Sequence, residues 1–328
     1  MAEELTTAAK TIASTEPEDI KLDNSIKRLI AEPQFLARII KRCVNECADM
    51  SIDEIIKIIG KVKVMEEFVE PGLTNTINAT ELSQENYISG EELIKFDILT
   101  HIFVPLENGT CIKIYLNIEA QKNEKPGYDI SERGIFYLCR QLSSQCGVEF
   151  SLSKDDKIKY KNIKKVYSIW ICPETAAKRA GTIETIKLEK TVTKNGKIID
   201  SSTIPDRYDI MELKIIRLAK NHKYDLDDEE LIKFLTDLVN DEMSKSEKLN
   251  ALFGYGVKIT KTVESEVGIM TSYATSIAQK NLMKGRTEER NLIQKAFAAL
   301  KEGKTKEELL AEGFDEGTID TALMFLRD

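Results

Sequence analysis

Asp97, Glu119 and Gln121 are the residues of this 328-residue chain whose types and spacing suit catalysis. Glu119 and Gln121 stand two apart in CIKIYLNIEAQ, whose alternation puts both on one face of a strand. Asp97 falls inside the preceding strand-like run, LIKFDILTHIF, so a hairpin brings an Asp and a Glu onto adjacent antiparallel strands. Two such carboxylates can converge on one divalent cation. Mg2+ takes hard oxygen ligands, usually one or two carboxylates, with water and substrate phosphate completing its shell. The carbonyl of Ala120 is a third candidate ligand, and Gln121 would face the attacking water. Polar residues on a solvated strand face are the competing reading of the same pattern.

The elements that must position these groups can be read around them. PLENG is the turn of the hairpin. Its second strand carries Ile112, Ile114, Leu116 and Ile118 on a buried face and Lys113, Tyr115, Asn117, Glu119 and Gln121 on a polar-lined one. A helix is predicted over about 128–146, with Ile135, Leu138, Cys139, Leu142 and Cys146 as its apolar face. Arg133, Tyr137, Arg140 and Ser144 lie opposite, a face that either contacts phosphate or is simply solvated. The Lys-rich KDDKIKYKNIKK follows, with Lys157, Lys159, Lys161, Lys164 and Lys165; it either tracks a DNA backbone or solubilises a loop. VYSIWICP at 166–173 and IMELKIIRL at 210–218 read as buried strands.

Upstream, a helix is expected from Asp23, with Asp23 as its N-cap, a second over 33–48, and a third from Ser51 with Glu54 completing a capping box. Residues 70–90 read as loop with one short strand. From Asp227 the pattern is helical, and Gly303 and Gly313 divide its end into a long helix and a short helical pair. The fold class is mixed α/β. The expected organisation is a mobile tail over 1–22, a core domain over 23–220, a helical extension over 221–283 and a helical module over 284–328.

Asp97, the 22-residue step to Glu119 and the E-A-Q at 119–121 resemble the PD-(D/E)XK nuclease signature. More narrowly, the chain resembles the transposase-like branch, the recombination-promoting nucleases. DNSIKRLI at 23–30, KFDI at 95–98, NIEAQ at 117–121, YDISERGIFYLCRQLSSQCG at 128–147 and KKVYSIWIC at 164–172 carry the likeness. It is specific over roughly 90–175 and weaker from 23 to about 280. The resemblance implies a restriction-endonuclease-like αβββαβ core with helical additions at both ends. It implies Mg2+-dependent hydrolysis of double-stranded DNA, Mn2+ being able to substitute, with Asp97 and Glu119 as metal ligands. Arg133, Tyr137 and Arg140 match the family's helix, which suits phosphate contact. Two departures stand out: Phe96 replaces the proline of the motif's name, and Gln121 stands where the wider superfamily has lysine, as the branch itself tends to have. Glutamine orients water by hydrogen bonding but brings no positive charge. A fold relative that binds DNA or recruits a partner without cutting is the rival expectation.

Composition narrows the alternatives. Two histidines, His101 and His222, leave little for a His-rich zinc site or a Ser-His pair, so hydrolysis would rest on carboxylates. The six cysteines read as reduced thiols. The net charge is −8, yet residues 111–200 hold 17 Lys and Arg against 11 Asp and Glu, a basic centre in an acidic chain. No apolar run is long enough to span a bilayer and the start carries no secretory pattern, so no membrane partner and a cytoplasmic location are expected. Homo-oligomerisation through the C-terminal helices is a further expectation. A literal PD…ExK also occurs, as Pro205-Asp206 and Glu212-Leu213-Lys214, but the five residues between Asp206 and Glu212 are too few for a hairpin to bring them together.

Overall fold

The computed structural model describes residues 17–64, 85–86, 94–95, 97–122, 127–146, 148–150, 160–199, 208–220 and 230–327. In chain order the elements are α1 (Pro17–Ala31), α2 (Pro33–Cys43), α3 (Ile52–Ile58), β1 (Lys63–Val64), β2 (Glu85–Asn86), β3 (Ile94–Lys95), β4 (Ile98–Pro105), β5 (Cys111–Ala120) and α4 (Ile130–Ser143). There follow β6 (Lys165–Cys172), β7 (Thr182–Lys187), β8 (Val192–Lys194), β9 (Lys197–Ile199), β10 (Met211–Arg217), α5 (Glu230–Val239), α6 (Lys245–Gly254), α7 (Lys261–Lys301), α8 (Lys306–Ala311) and α9 (Glu316–Arg327). The fold is mixed α/β. Its main sheet runs β1-β4-β5-β6-β10-β7, with β2-β3 and β8-β9 as separate pairs.

Two compact units are distinguished, one over 21–271 and one formed mainly by 272–328, their boundary falling inside α7 rather than at 284. In the first, β4 and β5 form the predicted hairpin, with Ile98 opposite Ile118 and Pro105 opposite Cys111. β6 then pairs parallel to β5, and β10 parallel to β6. Asp97 lies one residue outside β4 rather than inside it. The polar-lined face of the hairpin is not solvated either. Ile114, Leu116 and Ile118 pack into a core shared with α2 and α5, while Tyr115 joins a second cluster with Tyr137, Leu138, Trp170 and Leu213 beneath α4. β5 is an interior strand with both faces covered, and strict alternation alone does not tell such a strand from a surface one.

α4 is rotated from the predicted facing: Leu138 is buried and Leu142 packs beneath the helix as expected, but Ile135, Cys139 and Cys146 of the predicted apolar face are exposed. Gly134, Tyr137 and Gln141 are buried, whereas Phe136 is exposed. The reason is a close approach at Gly134, where a Cβ would lie 2.7 Å from Leu213 Cδ1 and 3.3 Å from Trp170 Nε1. A glycine that lets a helix sit down on large sheet residues counts as polar in a periodicity reading, yet here it selects the face. The Asp129 side chain caps the helix by accepting from Ser131 N.

The N-terminal helices differ in detail. α1 starts at Pro17, so Asp23 is a mid-helix residue and not the cap. α2 buries Phe35, Leu36, Ile39 and Ile40, each contributing roughly 1.5–3 kcal/mol by burial, and ends where extended Val44 leads into a short 3-10 turn over 45–47. α3 has the Ser51–Glu54 capping box as expected. Apart from Glu85–Asn86, the loop expected at 70–90 lies outside the described residues.

The second unit has its own small core of Ala296, Leu309, Ile319 and Ala322. Gly303 and Gly313, at φ of 98° and 91°, end α7 and α8, a left-handed conformation glycine adopts without strain. This is the predicted long helix followed by a short pair.

Candidate active site

The β4–β5 register that sets Ile98 opposite Ile118 also carries Asp97 to Glu119, one step further out. The two residues are tied reciprocally. Asp97 N donates to Glu119 Oε1 at 3.3 Å, and Ala120 N donates to Asp97 Oδ2 at 3.0 Å. Glu119 is 4% exposed, and its Oε1 also accepts from Asn117 Nδ2 at 3.2 Å. Burial, and next the charge on Asp97, hold the Glu119 carboxyl well above its ordinary pKa, against smaller lowering contributions from Asn117 and Arg133.

A lysine the sequence reading passed over completes this end of the site. Lys27 Nζ lies 2.9 Å from Asp97 Oδ1 and 2.6 Å from Asp23 Oδ2, the latter one helical turn back on α1. Asp23 therefore belongs to the carboxylate group. Burial raises its pKa, Lys27 opposes and Asp97 adds. Burial disfavours the Lys27 ammonium, yet Asp97 and Asp23 outweigh it and its pKa rises. The available signal was the Asp-x-x-x-Lys spacing within DNSIK, which places both side chains on one helix face.

Gln121 follows β5, its backbone N–H held by Ile171 O at 2.9 Å, and its Oε1 accepts from Arg133 Nη1 at 3.4 Å. Arg133 Nε and Nη2 donate to the Tyr137 hydroxyl at 3.2 and 2.7 Å, and Nη1 also donates to the Tyr128 hydroxyl. Its guanidinium carbon lies 5.0 to 5.5 Å from the ring centres of Tyr137, Trp170 and Tyr128, a cage that fixes the charge by cation–π contact. Tyr137 is 6% exposed and meets Trp170 edge-on at 5.5 Å. Asp97, Glu119, Ala120, Gln121, Arg133 and Tyr137 are thus brought together, with Asp23 and Lys27 added.

The remaining candidates lie elsewhere. Arg140, two turns and about 10 Å along α4 from Arg133, is buried against the Phe136 ring. Lys161 is exposed and Lys164 half-buried, its Nζ 3.9 Å from Glu149. Lys165 is buried and turned inward to Glu46 at 2.9 Å and Asp209 at 3.2 Å, so its charge is spent inside the fold. It opens β6 opposite Ile114, five residues and roughly 17 Å along the sheet from Glu119. Lys157, Lys159 and Asp206 lie outside the described residues. Glu212 and Lys214, the rest of the literal motif, pair with each other at 2.6 Å within β10.

The donor set fits a hard cation. Among the described residues no group of three or more His, Cys, Asp or Glu is gathered for a metal, so a protein-only cage is not what this site offers. Two adjacent carboxylates with a nearby main-chain carbonyl are the partial shell that Mg2+ accepts alongside water and phosphate. Among the described residues the buried Asn117 Oδ1, on the residue that donates to Glu119, has no hydrogen-bond partner, and Glu119 itself is buried beside a second carboxylate; both are the conditions a cation relieves. No helix among the described residues is long and apolar enough to cross a membrane. Comparison of the chain with protein-family models, with curated proteins and with solved structures returns no match.

Proposed function

We propose that this chain is a divalent-cation-dependent nuclease that hydrolyses phosphodiester bonds of double-stranded DNA, of the PD-(D/E)XK type its sequence resembles. The observation that carries this reading is the convergence of Asp97 and Glu119 at the end of β5, with Gln121 and Arg133 beside them. The element order supports it: a helix, three antiparallel strands in the order β1-β4-β5, the helix α4, then β6 parallel to β5.

In this reading Asp97 and Glu119, with the Ala120 carbonyl, hold Mg2+ or Mn2+. When bound, the ion supplies a water of lowered pKa and neutralises charge on the phosphate. Glu119 is held in one orientation by Asp97 N and Asn117, so its oxygen is preorganised for the ion. Gln121 orients the attacking water by hydrogen bonding. Arg133, fixed by Tyr128 and Tyr137, presents a guanidinium to a phosphate oxygen. The test is incubation of purified protein with supercoiled plasmid, with and without Mg2+. Nicking or linearisation that needs Mg2+ and is lost in Asp97→Ala is expected; no Mg2+-dependent cutting, or undiminished cutting by Asp97→Ala, overturns the reading.

The neutral Gln121 and the net charge of −8 favour one second reading, a nuclease-fold platform that binds DNA or a partner without cutting. It predicts Mg2+-dependent thermal stabilisation without cleavage.

A further inference from the structure

Asp97 has two carboxylate oxygens, and both are engaged. Oδ2 accepts the Ala120 amide and Oδ1 holds Lys27. A cation arriving at Asp97 therefore meets an ammonium already seated there. Lys27 has a second holder, Asp23 at 2.6 Å on its own helix, and a four-carbon stem on which to move. The other cation of the site is differently placed: Arg133 donates to Tyr128, Tyr137 and Gln121 and is stacked among three rings. Among the described residues Lys27 alone of the two is bound only to carboxylates, and one of them is a proposed metal ligand.

We propose that Lys27 is the internal cation of the metal-free site, displaced from Asp97 by the divalent ion, and that, retained by Asp23, it then supplies the positive charge toward the phosphate that Gln121 cannot. The inference rests on the nuclease reading above. In the hydrolysis, the water oxygen bonds to phosphorus while one phosphorus–oxygen bond to a sugar breaks. The departing oxygen keeps that electron pair and takes a proton from solvent, and the attacking water gives a proton to solvent. Lys27 stays protonated throughout and acts by charge alone, in a partly buried place where a charge counts for more than in water.

The two parts predict opposite effects of one substitution, which a merely structural lysine would not produce. Trp170 is the only tryptophan and stacks on Arg133, so Mn2+ entering the site can be followed by quenching of its fluorescence in the full chain without DNA. Lys27→Met is expected to bind Mn2+ at least about tenfold more tightly, because the competing charge is gone. At saturating Mn2+ its plasmid cleavage is expected to fall about 100-fold or more, the usual loss when one charge-stabilising group is removed. Lys27→Arg should stay near wild type in Mn2+ affinity. Should Lys27→Met fail to fold, Lys27→Gln, which removes the charge and can still hydrogen-bond Asp23, carries the same expectations. Unchanged or weaker Mn2+ binding in the neutral variants overturns the displaced-cation role, and tighter binding with undiminished cleavage overturns the catalytic one. A wild type that neither quenches nor cuts overturns the nuclease reading and this inference with it, whereas wild-type cutting with a silent Lys27 overturns the inference alone.

Discussion

Burial beside Asp97 makes the charged form of Glu119 the expensive one, and that has a measurable sign. An acid whose folded pKa is raised binds its proton more readily in the folded than in the unfolded chain. The resulting cost is absent below the ordinary value of 4.5, grows as pH rises through the folded value and is fully present above it. Glu119→Gln removes that cost and keeps an oxygen to accept from Asp97 N. The metal-free variant is expected to melt above wild type at pH well above 4.5 and to lose the advantage near pH 4.5. Cleavage should vanish at the same time. A variant less stable than wild type at neutral pH would mean the carboxylate is a net support even without metal. Lys248 shows the complementary case, away from the site. It is 2% exposed, its Nζ donates to Leu238 O at the end of α5, and burial, with Asp241 opposing, lowers its pKa from 10.5 to about 8. The unfolded chain binds more protons between those values, so this residue makes stability rise with pH from about 8 to 10.5. Denaturant titrations across that window should give a slope that Lys248→Met flattens, the effect reaching about 3 kcal/mol at most. Identical slopes would show that Lys248 is solvated in the folded state.

At the level of elements, α4 decides the geometry of the site, because it carries Arg133 and Tyr137 onto the end of β5. Its seat is Gly134, where an added Cβ would meet Leu213 Cδ1 at 2.7 Å. Gly134→Ala should gain up to about 1 kcal/mol in helix propensity and lose more to overpacking. A net destabilisation of about 1–2 kcal/mol with weakened cleavage is expected, read by denaturant unfolding and plasmid nicking. A stabilised variant would mean that Leu213 yields freely. Gly134 also explains why the hairpin was legible and the facing of α4 was not. Alternation within 111–121 located β5 and, through its register, the Asp97–Glu119 pair. Which face of a helix goes down depends on a close approach to Trp170 and Leu213, residues far away in sequence. The sequence makes Asp23 a cap for a related reason: Asp before an apolar period is a cap signal, and nothing local to DNSIK reveals a carboxylate arriving from residue 97. The inward pairing of Lys165 depends likewise on Glu46 and Asp209, which a Lys-rich run cannot announce.

At the scale of the whole molecule, an acidic chain that holds DNA must confine contact to a limited basic surface, and Lys165 is not part of it. Reversing Lys165 to Glu would set a carboxylate beside Glu46, Asp209 and Glu212, so loss of binding there would report on folding. Lys161 is exposed and Lys164 half-buried, and they are the residues of that run fit to test. They precede Lys165, which opens β6 opposite Ile114, five residues along the sheet from Glu119. Each phosphate contact contributes about 0.9 to the fall of log affinity with log salt, so Lys161→Glu with Lys164→Glu should flatten the slope by nearly 2 if both touch the backbone. Binding should weaken for all sequences alike, and Mn2+ quenching of Trp170 should be unchanged, since neither lysine approaches Asp97. The measurement is a salt titration of duplex binding in Ca2+, which suppresses cutting. Equal slopes and affinities for wild type and the double variant would remove this stretch from the interface, leaving Arg133 and Lys27 as the candidate phosphate-contacting cations of the proposed nuclease site.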